Sequence, residues 1–560
     1  MKLIKKISSL FRKVVTVVPA PIQRLVPDSP AYKKHKMQEL YVRAYSAGDK
    51  KENVLFWVPG GMSTLLHVEG TFAAALKLRG AEVNLIICDG AYSACVKREI
   101  GGSPVSEWKQ ECDTCRKSTS EVLETLGLPY SFIGDFITKK EKKELDQIAQ
   151  KVSWDKLDNF RYDGIDLSSN VRSAIVRYYQ GYEPDNLDEI VKEYSFSALV
   201  TLRASSRAYE HINPSKVMMS HGIYVDWGPA LRIAHNRHIP IVAWMNSYIR
   251  SRFYLRQIED TRNLNFHNMS EKAWDECRES PLKGEQYQRL EQYLSDRYHK
   301  RESFDMRTGL PAYVGDIESI YIKLNIDRRK PTWAIMAHIN WDCVFDYSPM
   351  TYSNFDDWIV ETIKLIIPQT DVNWLVKIHP AEANYNPNSG VEKLIEQRFP
   401  SLPEHIRVVS AREDISPLEL FQVVNGGITA FGTSGLELLL LGKPVILAGE
   451  AYYGSKGFTY DGNTLEKYEE FVRKAASLPV LDHDQLLLAR KFAYCYFIRR
   501  QVPIPVLRDP ESMWYRFQFN KRELLLPGND PFLDFICNKI QSSEDFIMDD
   551  DLVDLADELV

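Results

Sequence analysis

The sequence predicts an α/β protein built from two Rossmann-like, doubly wound domains that face each other across a cleft. The first observation is the order of buried strand, glycine turn, helix and second strand, which begins at Asn53 with "NVLFWV" and ends with "AEVNLIICDG". The second is a new alternation of strands and helices that starts after "NIDRRKPTW". Because 560 residues are too many for one ordinary domain, the two alternations predict two domains.

The composition is that of a globular protein with ample apolar residues for a core, since 44% of the residues are hydrophobic and 26% are charged. A net charge of −6 gives no general attraction to nucleic acid, so we expect no nucleic-acid partner. No run approaches the roughly 20 apolar residues that a membrane-spanning helix needs. Eight cysteines in this length favour a reducing compartment over a disulfide framework.

Residues 1–50 are expected to form a basic amphipathic helix followed by a polar lead-in. An apolar stripe at helical spacing runs from Leu3 to Val15, and the basic side chains of this segment lie off the stripe. Such a helix binds anionic membrane surfaces, although it could instead dock on the body of the protein. The segment 1–19 therefore predicts a cytoplasmic protein attached peripherally to the inner face of the cytoplasmic membrane.

The remaining chain divides into three regions. Residues 51–325 are predicted to form the N-terminal domain, which carries two further buried strands, "SKVMMSHG" and "IPIVAWMN", and a mostly helical insertion at about 250–325. Residues 326–485 are predicted to form the C-terminal domain, with five short parallel strands: "TWAIMAH", "VNWLVKIHP", "RVVS", "GGITAF" and "KPVILAG". Residues 486–560 are predicted to be helices and an acidic tail.

A glycine- and hydroxyl-rich turn follows the strand "GGITAF" and begins an apolar helix. Gly432 and Gly435 allow the backbone to approach a ligand closely, and Thr433 and Ser434 add hydroxyl groups beside the free amides of the helix start. Such a helix start binds anions, phosphate above all. Glu437, one turn into the helix, could accept hydrogen bonds from two ribose hydroxyls; alternatively, Ser434 is only an N-cap and Glu437 only a favourable charge near the positive end of the helix dipole.

Two other strands of this half end in polar residues, and ligands of parallel sheets bind at the carboxyl ends of the strands. "VKIHPAE" places His379 and Pro380 at a strand end, with Lys377 close by, so that the imidazole could donate to a phosphate oxygen. "AHINWDCVFD" places His338 and Asp342 at another strand end, where catalytic and structural roles are equally compatible with the pattern.

Four cysteines lie within 28 residues of the first domain: Cys88, Cys95, Cys112 and Cys115. Four thiolates can hold a structural zinc ion or an iron–sulfur cluster, but the spacing from Cys88 to Cys95 is unlike that of a zinc ribbon. Ordinary buried thiols are the alternative. Any metal here would be structural, and no cofactor is expected to be required for catalysis.

The stretch from about Trp333 to Asp461 resembles the bacterial capsule-polysaccharide biosynthesis family that includes the β-Kdo transferases, which are GT-B glycosyltransferases. The resemblance rests on "KIHPAE", on "GTSGLELLLLGKPV" and on an aromatic-Tyr-Gly-x-x-Gly-x-Thr-x-Asp loop that begins at Tyr452. It implies a CMP-activated sugar donor, with His379 and the Thr433–Ser434 turn on the phosphate and Glu437 on the ribose. Tyr452, Tyr453 and Gly454 would then close over the donor sugar. The loop has Gly-Ser-Lys-Gly where Kdo transferases usually have Gly-Trp-Gly, which leaves the sugar undetermined.

The N-terminal domain would supply the acceptor side. "GGMSTLLHVEG" is similar to the glycine-rich turn and helix of many GT-B enzymes, in several of which a histidine at the helix start is the general base. His67 matches that position, Glu69 lies two residues on, and His221 is the alternative base. A retaining reaction would need a carboxylate nucleophile, for which Asp342 and Glu69 are the candidates.

The sequence thus predicts a metal-independent GT-B glycosyltransferase that transfers a sugar, from a donor such as CMP-Kdo or a related acidic sugar nucleotide, to a growing surface polysaccharide or glycolipid acceptor. A CDP-glycerol-type glycerophosphotransferase and a UDP-sugar epimerase on the same frame are the alternatives. Inversion and retention both remain open.

Overall fold

The computed structural model describes residues 27–44, 52–59, 63–97, 108–181, 187–299, 316–384, 390–508 and 515–559. It contains two large sheets with helices packed around them, which confirms the predicted α/β class with two Rossmann-like domains facing across a cleft, the GT-B arrangement. The basic helix predicted at residues 1–19 lies outside the described residues and stays a prediction. Within the described residues, no helix combines the length and the apolarity that crossing a membrane requires.

The first sheet has seven strands in the order β15-β8-β7-β6-β1-β2-β3, and a two-stranded ribbon, β4-β5, lies apart from it. The strands are Asn53–Val58 (β1), Glu82–Ile87 (β2), Tyr130–Phe132 (β3), Arg161–Tyr162 (β4), Ile165–Asp166 (β5), Lys216–Met219 (β6), Ile241–Asn246 (β7), Arg252–Ile258 (β8) and, far along the chain, Val502–Pro503 (β15). Strands β1, β2, β3, β6 and β7 pair in parallel, whereas β8 and β15 join the edge antiparallel. The predicted helical insertion at 250–325 therefore begins with a strand of the sheet.

The second sheet has six parallel strands in the order β11-β10-β9-β12-β13-β14. They are Thr332–Met336 (β9), Asn373–Lys377 (β10), Ile406–Val409 (β11), Gly426–Thr429 (β12), Val445–Leu447 (β13) and Tyr460–Asp461 (β14). Strands β9, β10, β12 and β13 are buried along their whole length because helices cover both faces of the sheet. Five of the six were predicted; β14 has only two residues, too few for a hydrophobic pattern.

The helices follow the alternation that the sequence predicts. In the first half they are Pro30–Ala44 (α1), Ser63–Leu78 (α2), Trp108–Leu126 (α3), Lys139–Ala149 (α4), Ser168–Tyr178 (α5), Asp188–Ile212 (α6), Tyr224–Asn236 (α7), Glu271–Glu279 (α8), Gly284–His299 (α9) and Ile317–Leu324 (α10). In the second half they are Phe355–Ile366 (α11), Val391–Arg398 (α12), Pro417–Val423 (α13), Thr433–Leu440 (α14), Leu465–Arg473 (α15), His483–Tyr494 (α16), Pro531–Ser542 (α17) and Asp550–Asp557 (α18).

The C-terminal region returns to the first domain. Helix α16 continues into a π-helical turn, Cys495–Arg499, and the chain then forms β15, which pairs with β8 at the edge of the first sheet. The acidic tail forms α18, whose Val553 and Ala556 are buried, and its Asp554 pairs with Arg289 of α9 at 2.6 Å. The tail thus forms a helix that packs on the rest of the protein.

Candidate active site

The carboxyl ends of three neighbouring strands of the second sheet, β9, β10 and β12, meet at a cavity of about 430 Å³. The residues that follow these strands line its floor, and residues of the first half and of α9 cover it. The lining includes Tyr248, His267, Arg297, Tyr298, His338, Asp342, Lys377, His379, Pro380, Gly432, Thr433, Ser434, Glu437 and Tyr452. The cavity therefore lies in the cleft between the two domains, where the strand-end rule places a ligand.

The start of α14 is the floor of the cavity. Gly432 is the N-cap residue and, as a glycine, offers no side-chain cap to the first turn of this helix. A Cβ on Gly435 would overlap the hydroxyl of Tyr453, which donates to the carbonyl oxygen of Gly432 at 2.7 Å. The turn is thus held from below by Tyr453 while its upper side, with Thr433 and Ser434, faces the cavity. Uncapped first-turn amides and the helix dipole suit this floor to an anion.

His379, at the end of β10, is oriented by its own backbone. The amide of Ala381 donates to Nδ1 of His379 at 3.2 Å, so the proton of the neutral ring is on Nε2. Burial lowers the pKa of His379 to about 4, against the opposing charge of Asp342. The neutral imidazole is therefore a hydrogen-bond donor on the cavity wall, and such a donor can bind a phosphate oxygen.

His338, at the end of β9, braces the α14 turn. Its Nε2 accepts the amide proton of Phe431 at 3.0 Å, and its ring stacks on Phe355 with the ring centroids 4.8 Å apart. Burial lowers the pKa of His338 to about 3, so this ring is neutral as well. Lys377 also lines the cavity, but its Nζ donates to the carbonyl oxygen of Ser410 at 3.1 Å, and burial lowers its pKa to about 8.

Glu437, predicted to bind a ribose, is already engaged by the first half of the chain. Its Oε1 lies 2.9 Å from Nε of Arg297, and its Oε2 accepts a hydrogen bond from Tyr298, both on α9. Glu437 and Arg297 are each 7% exposed. A ribose hydroxyl would have to displace Tyr298 to reach the carboxylate, so the pair first of all ties α9 to α14 across the cleft.

Asp342 lies on the cavity wall with one oxygen occupied. Arg177 and the hydroxyl of Tyr224 contact its Oδ1 at 2.8 and 2.7 Å. Burial alone would raise the pKa of Asp342, but Arg177 and Tyr224 outweigh it, and the pKa lies below its usual value. The carboxylate is ionised, and within the described part of the chain no donor bonds Oδ2.

The residues of the loop after β13 take two different positions relative to the cavity. Tyr452 lines the cavity, whereas Tyr453 is fully buried beneath the α14 turn. A Cβ on Gly454 would lie 3.0 Å from Oδ1 of Asp461, which accepts hydrogen bonds from the Ser455 amide and the Thr459 hydroxyl. Tyr453 and Gly454 thus shape the loop from within, and only Tyr452 is placed to meet a ligand.

The proposed bases of the N-terminal domain do not line this cavity. His67 lies on α2, where burial and, to a lesser extent, Arg516 lower its pKa to about 4. His221 is packed against Trp227 and Tyr224, and its Nδ1 accepts the amide proton of Ile223 at 3.3 Å. Local pattern identified a helix start and a strand end correctly, but it does not determine which of them reaches the cleft.

Glu69 is fully buried in the first domain, away from the cavity, and its Oε1 accepts a hydrogen bond from the Trp244 indole at 3.1 Å. Burial raises its pKa to about 8, although Trp244 and Ser220 oppose the shift. The carboxyl group is therefore protonated at neutral pH and is an unsuitable nucleophile there.

The pKa of Glu69 predicts a pH dependence of stability. Between pH 4.5 and 8 the unfolded chain ionises this carboxyl while the folded chain keeps it protonated, so the folded state loses stability as pH rises through that window. Glu69→Gln keeps an acceptor for Trp244 and removes this dependence. We expect the variant to melt about 3–6 °C above the wild type at pH 8.5 and close to it at pH 4.5 in calorimetry. A difference in melting temperature between variant and wild type that stays constant from pH 4.5 to 8.5 would contradict the raised pKa of Glu69.

The four clustered cysteines surround one small cavity of about 30 Å³ in the first domain. Cys88 Sγ accepts the Gly90 amide proton at 3.2 Å, and burial raises the pKa of this thiol to about 12. Among the residues that the structure describes, no group of three or more His, Cys, Asp or Glu side chains is arranged to hold a metal ion. The arrangement of Cys88, Cys95, Cys112 and Cys115 therefore does not fit the predicted zinc or iron–sulfur site.

Several cavity residues were missed by the sequence analysis: Tyr248, His267, Arg297 and Tyr298. Tyr248 comes two residues after β7, so the strand-end rule could have identified it. The other three follow β8 or belong to α9, in the region that the sequence presents only as a charged, aromatic insertion. No local pattern distinguishes them from ordinary surface or core residues.

A family model matches part of the chain. Residues 352–497 match the family model described as "Capsule polysaccharide biosynthesis protein". No curated protein matches the sequence.

Among solved structures, the Thermosulfurimonas dismutans KpsC β-Kdo 2,4-transferase is 16% identical over 56% of this chain and 87% of its own, with a TM-score of 0.32. The KpsC β-Kdo 2,7-transferase of the same organism is 13% identical over 51% of this chain and 79% of its own, at 0.30. The glycosyltransferase SnogD from Streptomyces nogalater is 13% identical over 81% of this chain and 96% of its own, at 0.24. Scores this low support no conclusion about activity.

Proposed function

Because residues 352–497 match the family model described as "Capsule polysaccharide biosynthesis protein", we propose that this chain is a glycosyltransferase that extends a surface polysaccharide from a nucleotide-activated sugar. The observation that carries the proposal is the convergence of the α14 start and His379 on one cleft cavity. Both present hydrogen-bond donors to the same volume, and both follow strand ends of one parallel sheet. That is the arrangement a nucleotide phosphate requires.

The donor phosphate would lie on the Thr433–Ser434 turn with His379 beside it. As the bond from the sugar to the phosphate breaks, negative charge grows on the departing oxygen. The α14 amides and Nε2–H of His379 are fixed before the reaction starts, so they stabilise that charge without reorganising. A single preorganised donor of this kind is worth about 3–4 kcal/mol in other enzymes.

Asp342 is our candidate for the carboxylate that attacks the anomeric carbon if the reaction proceeds with retention. Arg177 and Tyr224 hold its Oδ1 and keep the group ionised, which leaves Oδ2 for the sugar. Glu69, the other candidate from the sequence, is buried and protonated, so the role falls to Asp342.

The donor is proposed to be a CMP-activated acidic sugar such as CMP-Kdo, on the strength of the sequence resemblance and the anion-binding floor. We expect the melting temperature of the wild-type protein to rise with CMP more than with UDP or GDP at equal concentration, because a ligand held only by the folded state stabilises it. A rise with UDP alone would indicate a UDP-sugar transferase or epimerase. Release of CMP from CDP-glycerol would indicate a glycerophosphotransferase, and no response to any nucleotide would contradict the proposal. Attachment to anionic membranes through residues 1–19 remains a prediction from the sequence.

A further inference from the structure

The carboxylate of Glu437 has two partners on α9, and they contact different oxygens. Nε of Arg297 lies 2.9 Å from Oε1, whereas the hydroxyl of Tyr298 donates a hydrogen bond to Oε2. All three side chains line the cleft cavity, and Glu437 is the acceptor that the sequence predicts for ribose hydroxyls. A hydroxyl group of the protein therefore occupies the oxygen that a ribose hydroxyl of the donor nucleotide would use.

Arg297 is the fixed member of this group. It is 7% exposed, and its guanidinium carbon lies 4.3 Å from the ring centroid of Tyr248 and 5.6 Å from that of Phe497. Separating it from Glu437 would leave two buried charges without compensation, which is strongly unfavourable. We therefore expect the contact between Arg297 and Oε1 to persist when a ligand enters the cavity.

Tyr298 is the member that can leave. It is the last residue but one of α9, which ends at His299, and it is only half-buried. The last turn of a helix opens at lower cost than its middle, because its final carbonyl groups lack partners within the helix. Rotation of the Tyr298 side chain away from the carboxylate thus frees Oε2 without breaking the ion pair on Oε1.

We propose that Tyr298 is an internal competitor of the donor nucleotide, an inference that rests on the proposed function. A ribose hydroxyl displaces the phenol hydroxyl from Oε2 of Glu437, while Arg297 stays on Oε1. The carboxylate exchanges one hydroxyl donor for another, so the ribose adds little to the affinity of the wild-type protein. Tyr298 thereby determines how strongly the site distinguishes a ribonucleotide from a nucleotide that lacks the ribose hydroxyls.

The competition predicts that losing the Tyr298 hydroxyl strengthens binding. The apparent affinity for a ribonucleotide is reduced by the fraction of molecules in which Oε2 is free, and a phenylalanine cannot occupy that oxygen. It leaves Oε2 buried without a donor, which is unfavourable until a ribose hydroxyl supplies one. A direct ligand contact of Tyr298 would have the opposite effect, since its loss would weaken binding.

The test is Tyr298→Phe in the full-length protein, with CMP and 2′,3′-dideoxy-CMP as probes in isothermal titration calorimetry. We expect the variant to bind CMP at least about fivefold more tightly than the wild type and to bind 2′,3′-dideoxy-CMP within about twofold of it. Both probes carry the same base and phosphate, so the ratio of their dissociation constants isolates the ribose hydroxyls. A general change in the stability of the fold would not alter that ratio.

The matched control is Tyr287→Phe on the same helix. Tyr287 is not among the described residues that line the cavity, and its ring centroid lies 4.8 Å from the guanidinium carbon of Arg490. This variant should bind both probes as the wild type does. No gain for CMP in Tyr298→Phe, or an equal gain for both probes, would overturn the inference and leave the proposed function standing. A wild type that binds neither probe overturns the donor proposal and the competition together.

Discussion

His379→Ala is expected to abolish most of the stabilisation that CMP gives the wild-type protein and to lower turnover about 100- to 1,000-fold. The reason is that the variant loses the Nε2–H donor that the Ala381 amide orients toward the cavity. Losing one preorganised donor to a developing anion costs about 3–4 kcal/mol in comparable sites. The measurements are thermal shift against CMP concentration and the rate of CMP release from CMP-Kdo.

The matched control is His483→Ala, because the side chain of His483 is 90% exposed on the first turn of α16. This variant should bind CMP and turn over as the wild type does. His379→Ala should also melt near the wild type without ligand, since the lost hydrogen bond to Ala381 is a single one. If CMP stabilised His379→Ala and the wild type equally, the imidazole would have no part in holding the phosphate.

Arg297→Met is expected to destabilise the protein by about 3–5 kcal/mol, because it leaves the carboxylate of Glu437 buried without its cation. For a chain of 560 residues the melting temperature should fall by about 3–5 °C. The double variant Arg297→Met with Glu437→Gln removes both charges together and should recover more than half of that loss. A double-mutant cycle by urea unfolding gives the coupling between the two side chains.

Arg289→Met provides the control on the same helix, α9. Arg289 pairs with Asp554 at 2.6 Å, but both side chains are partly exposed, so we expect a loss of at most about 1 kcal/mol. Equal losses for Arg297→Met and Arg289→Met would show that Glu437 is solvated or protonated in the folded protein, and the tie between α9 and α14 would then be weak.

The residues of the cavity floor were predictable because they come directly after apolar strands in the sequence. His379, Thr433 and Ser434 each come just after a buried run, and parallel strands bring such positions to one sheet edge whatever the rest of the chain does. The two-domain architecture was predictable for a related reason, because each alternation of buried strands and helices is encoded over a few tens of residues.

The cavity roof was not predictable for the opposite reason. His267 and Arg297 precede Thr433 of the α14 turn by 166 and 136 residues, and only tertiary packing brings them to the cavity. The side chains of His67 and His221 do not line the cavity. A local pattern identifies where an element begins or ends, but it does not determine the direction in which the side chains point. The partners of Glu437 could not be predicted either, because nothing in the sequence around Glu437 indicates that Arg297 and Tyr298 of α9 contact it.

The return of the chain to the first sheet through β15 has a consequence for anyone who recombines this protein with its relatives. The segment that matches the family ends at residue 497, inside the π-helical turn, whereas the edge strand begins at Val502. A chimera spliced at either boundary would separate part or all of the π-helical turn from the edge strand that follows it. Recombination experiments should therefore move the second domain and the ten residues after the matched segment together, although those residues end in the sheet of the first domain.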